Sequence, residues 1–205
     1  MNYGFIKSKI DGSEAIFKAS ESIELPSRYS YINYLPSVLN QGSKPICVPC
    51  SISAYVNWKM NLVDGNEKDN NIDLKSIYSS RSNSSDDGMS FKDALHFMKH
   101  EGVDTDNGLF KIKGYAMVGS IIQLKYALLM NGVCIGGLPV YNSMLSEFWK
   151  EGGEFEGGHA IAIVGYDEEG FIIRNSWGKS YGKDGYYHLK YDDFGDSFYE
   201  IWTMY

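Results

Sequence analysis

The spacing of apolar residues changes character near Lys111, and this change constrains the fold more than any other feature of the chain. Before it, the spacing is helical. Ile52, Val56 and Met60 recur on one face, with Ala54, Tyr55 and Trp58 around them, which predicts a helix buried on most sides. A short helix is expected over 73–80. Ser90 then heads a further helix, with Asp93 three residues on as a capping-box partner, Phe91, Ala94, Leu95 and Met98 along one face, and Gly102 as the stop. Ser120 with Gln123 caps one more, closed by Asn131-Gly132. After that, strands dominate. The segments 133–140, 160–166, 171–174, 186–191 and 198–204 combine β-branched and aromatic residues with turn punctuation. A helical first half and a β second half predict an α+β fold.

The same reading divides the chain of 205 residues into one domain, 1–205, with three stretches. Residues 1–35 read as a β-hairpin about Asp11-Gly12 followed by an extended connector punctuated by Leu25-Pro26 and Leu35-Pro36. Residues 36–114 form the helical part, including a polar loop over 82–88, and residues 115–205 the β part. A hydrophobic fraction of 43% and a charged fraction of 22% suit an ordinary globular core. No apolar run approaches the ~20 residues that span a bilayer, and Lys7, Lys9 and Asp11 interrupt any apolar leader after Met1. The net charge of -7 argues against nucleic acid or an anionic membrane as a partner. Three cysteines without a disulfide pattern suit a reducing compartment, so a cytoplasmic location is expected, with a virion location if the gene belongs to a phage.

Chemistry concentrates in NQGSKPICVPCSISAY, residues 40–55. A thiol reacts as the thiolate, which a helix N-terminus or a nearby cation stabilises. Pro49 fits only the first turn of a helix, so a helix should begin near 46–49 and place Cys47 in its positive end. Cys50 falls inside that helix and Cys134 inside a strand, where both read as packed thiols, and a Cys50/Cys134 disulfide is disfavoured. His96 and His100 are four apart but lack the glutamate of a zinc-binding HExxH helix. They read as surface residues, as does His188 in its alternating strand, and no metal or cofactor is expected.

Four motifs in order then give a specific resemblance. QG with Cys47, GHA with VGY, NSWG, and YGKDGYY together resemble the papain-like cysteine peptidases, family C1, and YGF near the start followed by LPSRYSYINYLPSVLNQG resembles their bacterial and phage-type branch. The resemblance runs from Leu25 to the C-terminus. It implies two lobes, one mainly helical and one an antiparallel β-barrel-like sheet, with an active-site cleft between them. It implies a polypeptide substrate, with Cys47 as nucleophile and His159 as its base and acid. Asn175 would orient the imidazole, and Gln41 would donate to the oxyanion together with the backbone N–H of Cys47. Trp177 would shield the Asn/His hydrogen bond. Gly158, with Gly157, would let the backbone turn beside His159, and Gly88 would either bind extended substrate backbone or serve a simple turn.

The register asks for one irregularity. If Tyr166 pairs with Phe171 across a four-residue loop, Asn175 falls opposite Ala162 and on the wrong face for His159, so a bulge or a shorter loop is required. The rim also departs from the family, with Pro45-Ile46 where a small Gly-Ser is usual and Lys44 where many secreted members have a disulfide cysteine. Family zymogens carry a long inhibitory propeptide. The stretch before Leu25 is shorter, so control is expected from location, a partner, or this stretch acting as a cap. Two other readings compete: a weakly active or inactive papain-like binding module in an assembly, and another cysteine amidohydrolase such as a cell-wall amidase.

Overall fold

The computed structural model describes residues 3–19, 23–65, 67–83 and 88–205. In chain order the helices are α1 (Cys47–Asp64), α2 (Leu74–Ser79), α3 (Phe91–His100), α4 (Ile121–Asn131) and α5 (Phe194–Ser197). The strands are β1 (Phe5–Ile6), β2 (Tyr29–Ser30), β3 (Met89–Ser90), β4 (Val103–Thr105), β5 (Gly108–Phe110), β6 (Tyr115–Met117), β7 (Cys134–Val140), β8 (Gly157–Tyr166), β9 (Gly170–Arg174), β10 (Tyr186–Lys190) and β11 (Glu200–Met204). The α+β division stands: α1 to α3 build one lobe, and a seven-stranded sheet in the order β10-β9-β8-β7-β11-β6, with β2 added against β8, builds the other.

Local sequence accounts for the element ends. Pro49 lies in the first turn of α1, where its missing N–H leaves no bond unmade, and Gly65 closes the helix at φ 68 with its N–H on the Asn61 carbonyl at 2.7 Å. Ser90 and Ser120 cap α3 and α4 by accepting from Asp93 N and Gln123 N, both at 3.2 Å. Neither completes a reciprocal capping box. Asp93 accepts from Ser82 instead, which ties the loop before α3, and Gln123 accepts from Gly119 N. Of the polar loop over 82–88, residues 84–87 lie outside the described residues.

The N-terminal stretch differs from the expected hairpin. β1 pairs in parallel with β3, as Phe5 with Met89 and Ile6 with Ser90, and Ile16 bridges to Met117. The Asp11-Gly12 dipeptide still bends the chain, through Ser13 N–H and Oγ–H on Asp11 Oδ1, but the two runs that flank it leave for different partners. Cross-lobe pairing has replaced the local pairing that the dipeptide suggested.

β8 is the hinge between two cores. Its residues alternate: Ala160, Ala162 and Val164 pack with Ile52, Val56 and Leu95 of the helical lobe, whereas Ile161 and Ile163 pack with Leu124, Leu138, Phe171 and Ile173 inside the β lobe. A strand buried on both faces is expected to be continuously apolar, as IAIV is. α1 crosses the first face, so the start of α1 and the start of β8 meet.

Candidate active site

Cys47 is the first residue of α1, and its thiol lies against the backbone N–H of Ala160, the residue after His159. The site is therefore assembled at the seam of the lobes. The segment before α1 docks onto the loop after β9: Gly178 N–H donates to Leu39 O at 2.9 Å and Gln41 N–H to Ser176 O at 2.8 Å. Ser176 Oγ–H donates to Gln41 Oε1 at 2.6 Å, which fixes which end of the amide is the oxygen. Gln41 Nε2 donates to Lys44 O at 2.9 Å and, more weakly, to Tyr3 O at 3.5 Å.

The register problem resolves through a bulge. Tyr166 pairs with Phe171 as the loop length requires, but the ladder shifts between Ile163 and Gly165, so Arg174 faces Ala162. Asn175, the next residue, is thereby brought to the side of Ile161 and His159. His159 Nε2 meets Asn175 Oδ1 at 2.7 Å. Ser176 N–H donates to the same oxygen at 2.7 Å, which orients the Asn175 amide and assigns the proton to Nε2 of a neutral ring. Nδ1 is left as the basic nitrogen. Trp177 covers the pair, its ring 4.6 Å from the imidazole and tilted by 31°, and Phe148 packs edge-on to His159 and at a tilt to Trp177.

Cys47 and His159 are completely buried. Burial pushes the Cys47 thiol above its ordinary range, opposed by the Ala160 N–H, and lowers His159 from 6.5 to about 4, opposed by Asn175 and the Tyr3 backbone. Burial therefore works against the ionised pair, whereas the helix start alone favours a thiolate. The difference has a visible cause: residues 3–5 fill the cleft. The Tyr3 ring lies 5.9 Å from His159 and 5.8 Å from Trp177, and its hydroxyl donates to Glu156.

The glycines beside His159 make room for this segment. A Cβ on Gly158 would fall 2.7 Å from Phe5 O and one on Gly157 2.9 Å from the Tyr3 ring. Gly158 thus serves close approach, where a tight turn was expected. Gly88, at φ 131, lies beside the backbone of Gly4, so an extended chain does run along it. Cys50 and Cys134 are free, buried thiols, each pushed up to about 12 by burial. His96 and His100 are exposed with their rings 4.3 Å apart, and His188 is exposed beside Asp167 at 3.0 Å. No group of three or more metal-binding side chains occurs among the described residues. The sequence reading passed over Tyr3, Phe148 and Ser176. Ser176 stands inside NSWG and Tyr3 inside YGF, so both motifs were visible without the contacts that give them roles.

Comparison with known proteins agrees with this geometry. Residues 99–200 match the papain family cysteine protease. An uncharacterized peptidase C1-like protein of Acanthamoeba polyphaga mimivirus is 34% identical over 82 residues, covering 35% of this chain and 26% of that protein. Cathepsin O of Homo sapiens is 51% identical over 39 residues, covering 17% and 12%. The matched stretches thus span about a quarter or less of these curated relatives. Among solved structures, xylellain, a cysteine protease from Xylella fastidiosa, superposes with a TM-score of 0.85 at 22% identity, covering 99% of this chain and 95% of that one. A procathepsin B of Trypanosoma congolense gives 0.77 at 15% identity, covering 94% and 83%. With a papain-like fold along its described length and a match to the papain family over residues 99–200, the chain is papain-like in its fold and in the pattern of its β lobe.

Proposed function

We propose that this chain hydrolyses peptide bonds through an S-acyl intermediate on Cys47. The observation that carries the reading is the 2.7 Å bond from His159 to Asn175 beneath Trp177, beside a cysteine that opens a helix. With Nε2–H held by Asn175, Nδ1 is free to take the thiol proton as sulfur attacks the carbonyl carbon. The resulting oxyanion accepts from Gln41 Nε2–H and the Cys47 backbone N–H, and Ser176 keeps the Gln41 amide aimed. Collapse breaks the C–N bond, and the imidazolium gives its proton to the departing amine. Water, activated by the neutral imidazole, then cleaves the thioester and restores the thiol.

The substrate in this reading is a polypeptide laid along Gly88, as residues 3–6 are. Three free cysteines favour a reducing compartment, and no described helix is long and apolar enough to cross a membrane. Digestion of casein and of a peptide library, by the chain and by its Gly4→Ala variant, tests the activity. Cleavage that disappears with Cys47→Ala is expected. Cleavage that survives Cys47→Ala, or its absence from both proteins, would overturn the reading.

A further inference from the structure

Cys47 shares the start of α1 with a second thiol. The first turn reads Cys47-Val48-Pro49-Cys50, two cysteines separated by two residues at a helix N-terminus. Thiols in this spacing and place suit reversible oxidation, because the amide end of the helix favours the thiolate that attacks. Three residues apart in a helix, two Cα atoms lie about 5 Å from each other, within the span of a disulfide, and the Cβ atoms need to close by about 1 Å. The first turn has that freedom at one end. Cys50 is anchored by its N–H on Ile46 O at 3.0 Å, whereas Cys47, at the first helical position, precedes the intrahelical ladder.

The surroundings of Cys50 also differ from those of a packed core thiol. Arg174, itself only 6% exposed, lies near it and gives its N–H groups to neutral oxygens, Nη1–H to Tyr186 Oη at 2.6 Å and Nη2–H to Ser37 O at 2.9 Å. A cavity of about 10 Å³, room for about one water, is shared by Cys50, Ser51, Arg174 and Ser176. The thiol thus has a cation to steady its anion and space in which to turn. Burial raises the Cys50 thiol and the Arg174 charge opposes it. Burial likewise raises Cys47, the Ala160 N–H opposes it, and Cys50 raises it further, as groups of like charge do at short range. Cys134, by contrast, donates its S–H to Gly132 O at 3.6 Å and sits in the apolar core of the β lobe.

We infer that Cys47 and Cys50 form a reversible disulfide when the protein meets a hydroperoxide, with Cys47 as the sulfur oxidised first and Cys50 as the thiol that resolves it. With hydrogen peroxide, the Cys47 sulfur attacks one peroxide oxygen, the O–O bond breaks, and a Cys47 sulfenic acid and water result. The Cys50 sulfur then attacks the Cys47 sulfur: the S–S bond forms, the S–O bond breaks, and hydroxide leaves with the Cys50 proton as water. A dithiol reductant reverses this by two exchanges, returning both cysteines as thiols and closing its own disulfide. Without Cys50, further peroxide carries the sulfenic acid on to the sulfinic acid, which thiols do not reduce. In a reducing compartment such a disulfide is transient, a sensor rather than a staple. The pairing stands on the geometry alone. Its consequence, that oxidation stops hydrolysis while preserving the nucleophile, rests on the peptidase reading.

Hydrogen peroxide is the probe, applied to the unaltered chain, to Gly4→Ala, and to each of these carrying Cys50→Ser, followed by iodoacetamide and peptide mapping without reduction. Gly4→Ala secures access to the sulfur: a Cβ on Gly4 would fall 2.3 Å from Pro45 O, which displaces a stretch whose far end Lys92 ties to Glu14 at 2.6 Å. Where Cys50 is present, the peptide that holds both cysteines should lose two hydrogens and its iodoacetamide label, and dithiothreitol should return both thiols. With Cys50→Ser, Cys47 should pass to the sulfinic acid, and dithiothreitol should recover none of its label; Cys50→Ala serves if the serine variant does not fold. The proposal is overturned if no folded chain with Cys50 loses the two hydrogens, if the bridge joins Cys50 to Cys134, or if Cys47 recovers as fully without Cys50 as with it. A disulfide that forms and reopens in a protein that never cleaves casein would support the pair and refute the peptidase reading. Casein cleavage that peroxide destroys and dithiothreitol does not restore would do the reverse.

Discussion

The His159 corner and the segment that covers it are built to different standards. His159 sits on β8, and Asn175 and Trp177 sit in the loop that follows β9, each held by its neighbours: Asn175 by Ser176 N–H, Trp177 by His159 and Phe148, and the loop by Gly178 N–H on Leu39 O. Residues 3–6 cross the same corner with a two-residue parallel ladder and no turn of their own. A preorganised site needs the first kind of construction, because donors must already point where charge develops. A segment that only covers the site is held by the second. Rigid chemistry under a loosely tied lid is the division of labour that the two regions display.

Substitutions separate the two regions by size of effect. In the Gly4→Ala background, Cys47→Ala or His159→Ala should lower kcat by at least about 10³-fold with the melting curve little changed, since each is a unit of one machine. A fully active His159→Ala protein would break the comparison from the corner side. Gln41→Ala should cost about 10²- to 10³-fold in kcat with KM nearly constant, as loss of an oxyanion donor does. Ser176→Ala removes only the bond that aims Gln41, and a loss of about tenfold is expected, in line with one buried hydrogen bond. Equal losses at the two positions would mean that Ser176 does more than aim the amide. The smallest effect is expected at Lys92→Ala, a few-fold rise in Cys47 labelling that added salt reproduces in the unaltered chain, because exposed ion pairs are weak and screened.

Acid should act on the cover before it acts on the lobes. His159 has its folded pKa lowered to about 4 from 6.5, chiefly by burial. The covered state therefore holds an advantage in full above pH 6.5 that is lost as pH falls towards 4, because protonation favours the form in which the ring regains water. The groups facing it are Cys47 across the seam, Asn175, and Tyr3 with its partner Glu156. The labelling ratio between Gly4→Ala and the unaltered chain should shrink across that window. A constant ratio would show that uncovering does not hydrate His159.

Much of the β lobe was legible because its residues speak locally. Strand composition and turn punctuation place β7 to β11 to within three residues at each end, and serine caps mark α3 and α4. The Asn175 side chain was legible only as a conflict. A period-2 count put it on the wrong face, and the bulge between Ile163 and Gly165, which depends on what β8 packs against on both sides, restores it. The stretch before Leu25 was legible as a cap but not in its contacts. YGF offers alternating apolar residues and Asp11-Gly12 a turn, and both point to a hairpin. The parallel ladder to Met89 is a contact across more than eighty residues, and no local preference encodes it. Pro45 shows the same limit. As sequence it is a departure from the family, and only beside Gly4 does it become one side of a pinch.

The account turns on Cys47 forming a covalent acyl bond, and intact-mass trapping during a rapid turnover of a peptide ester by the Gly4→Ala protein tests that most directly. A transient adduct of the acyl mass, mapped to the peptide that contains Cys47 and absent from Gly4→Ala/Cys47→Ala, is the predicted result. Turnover without an adduct, or an adduct on Cys50 or Cys134, would contradict it.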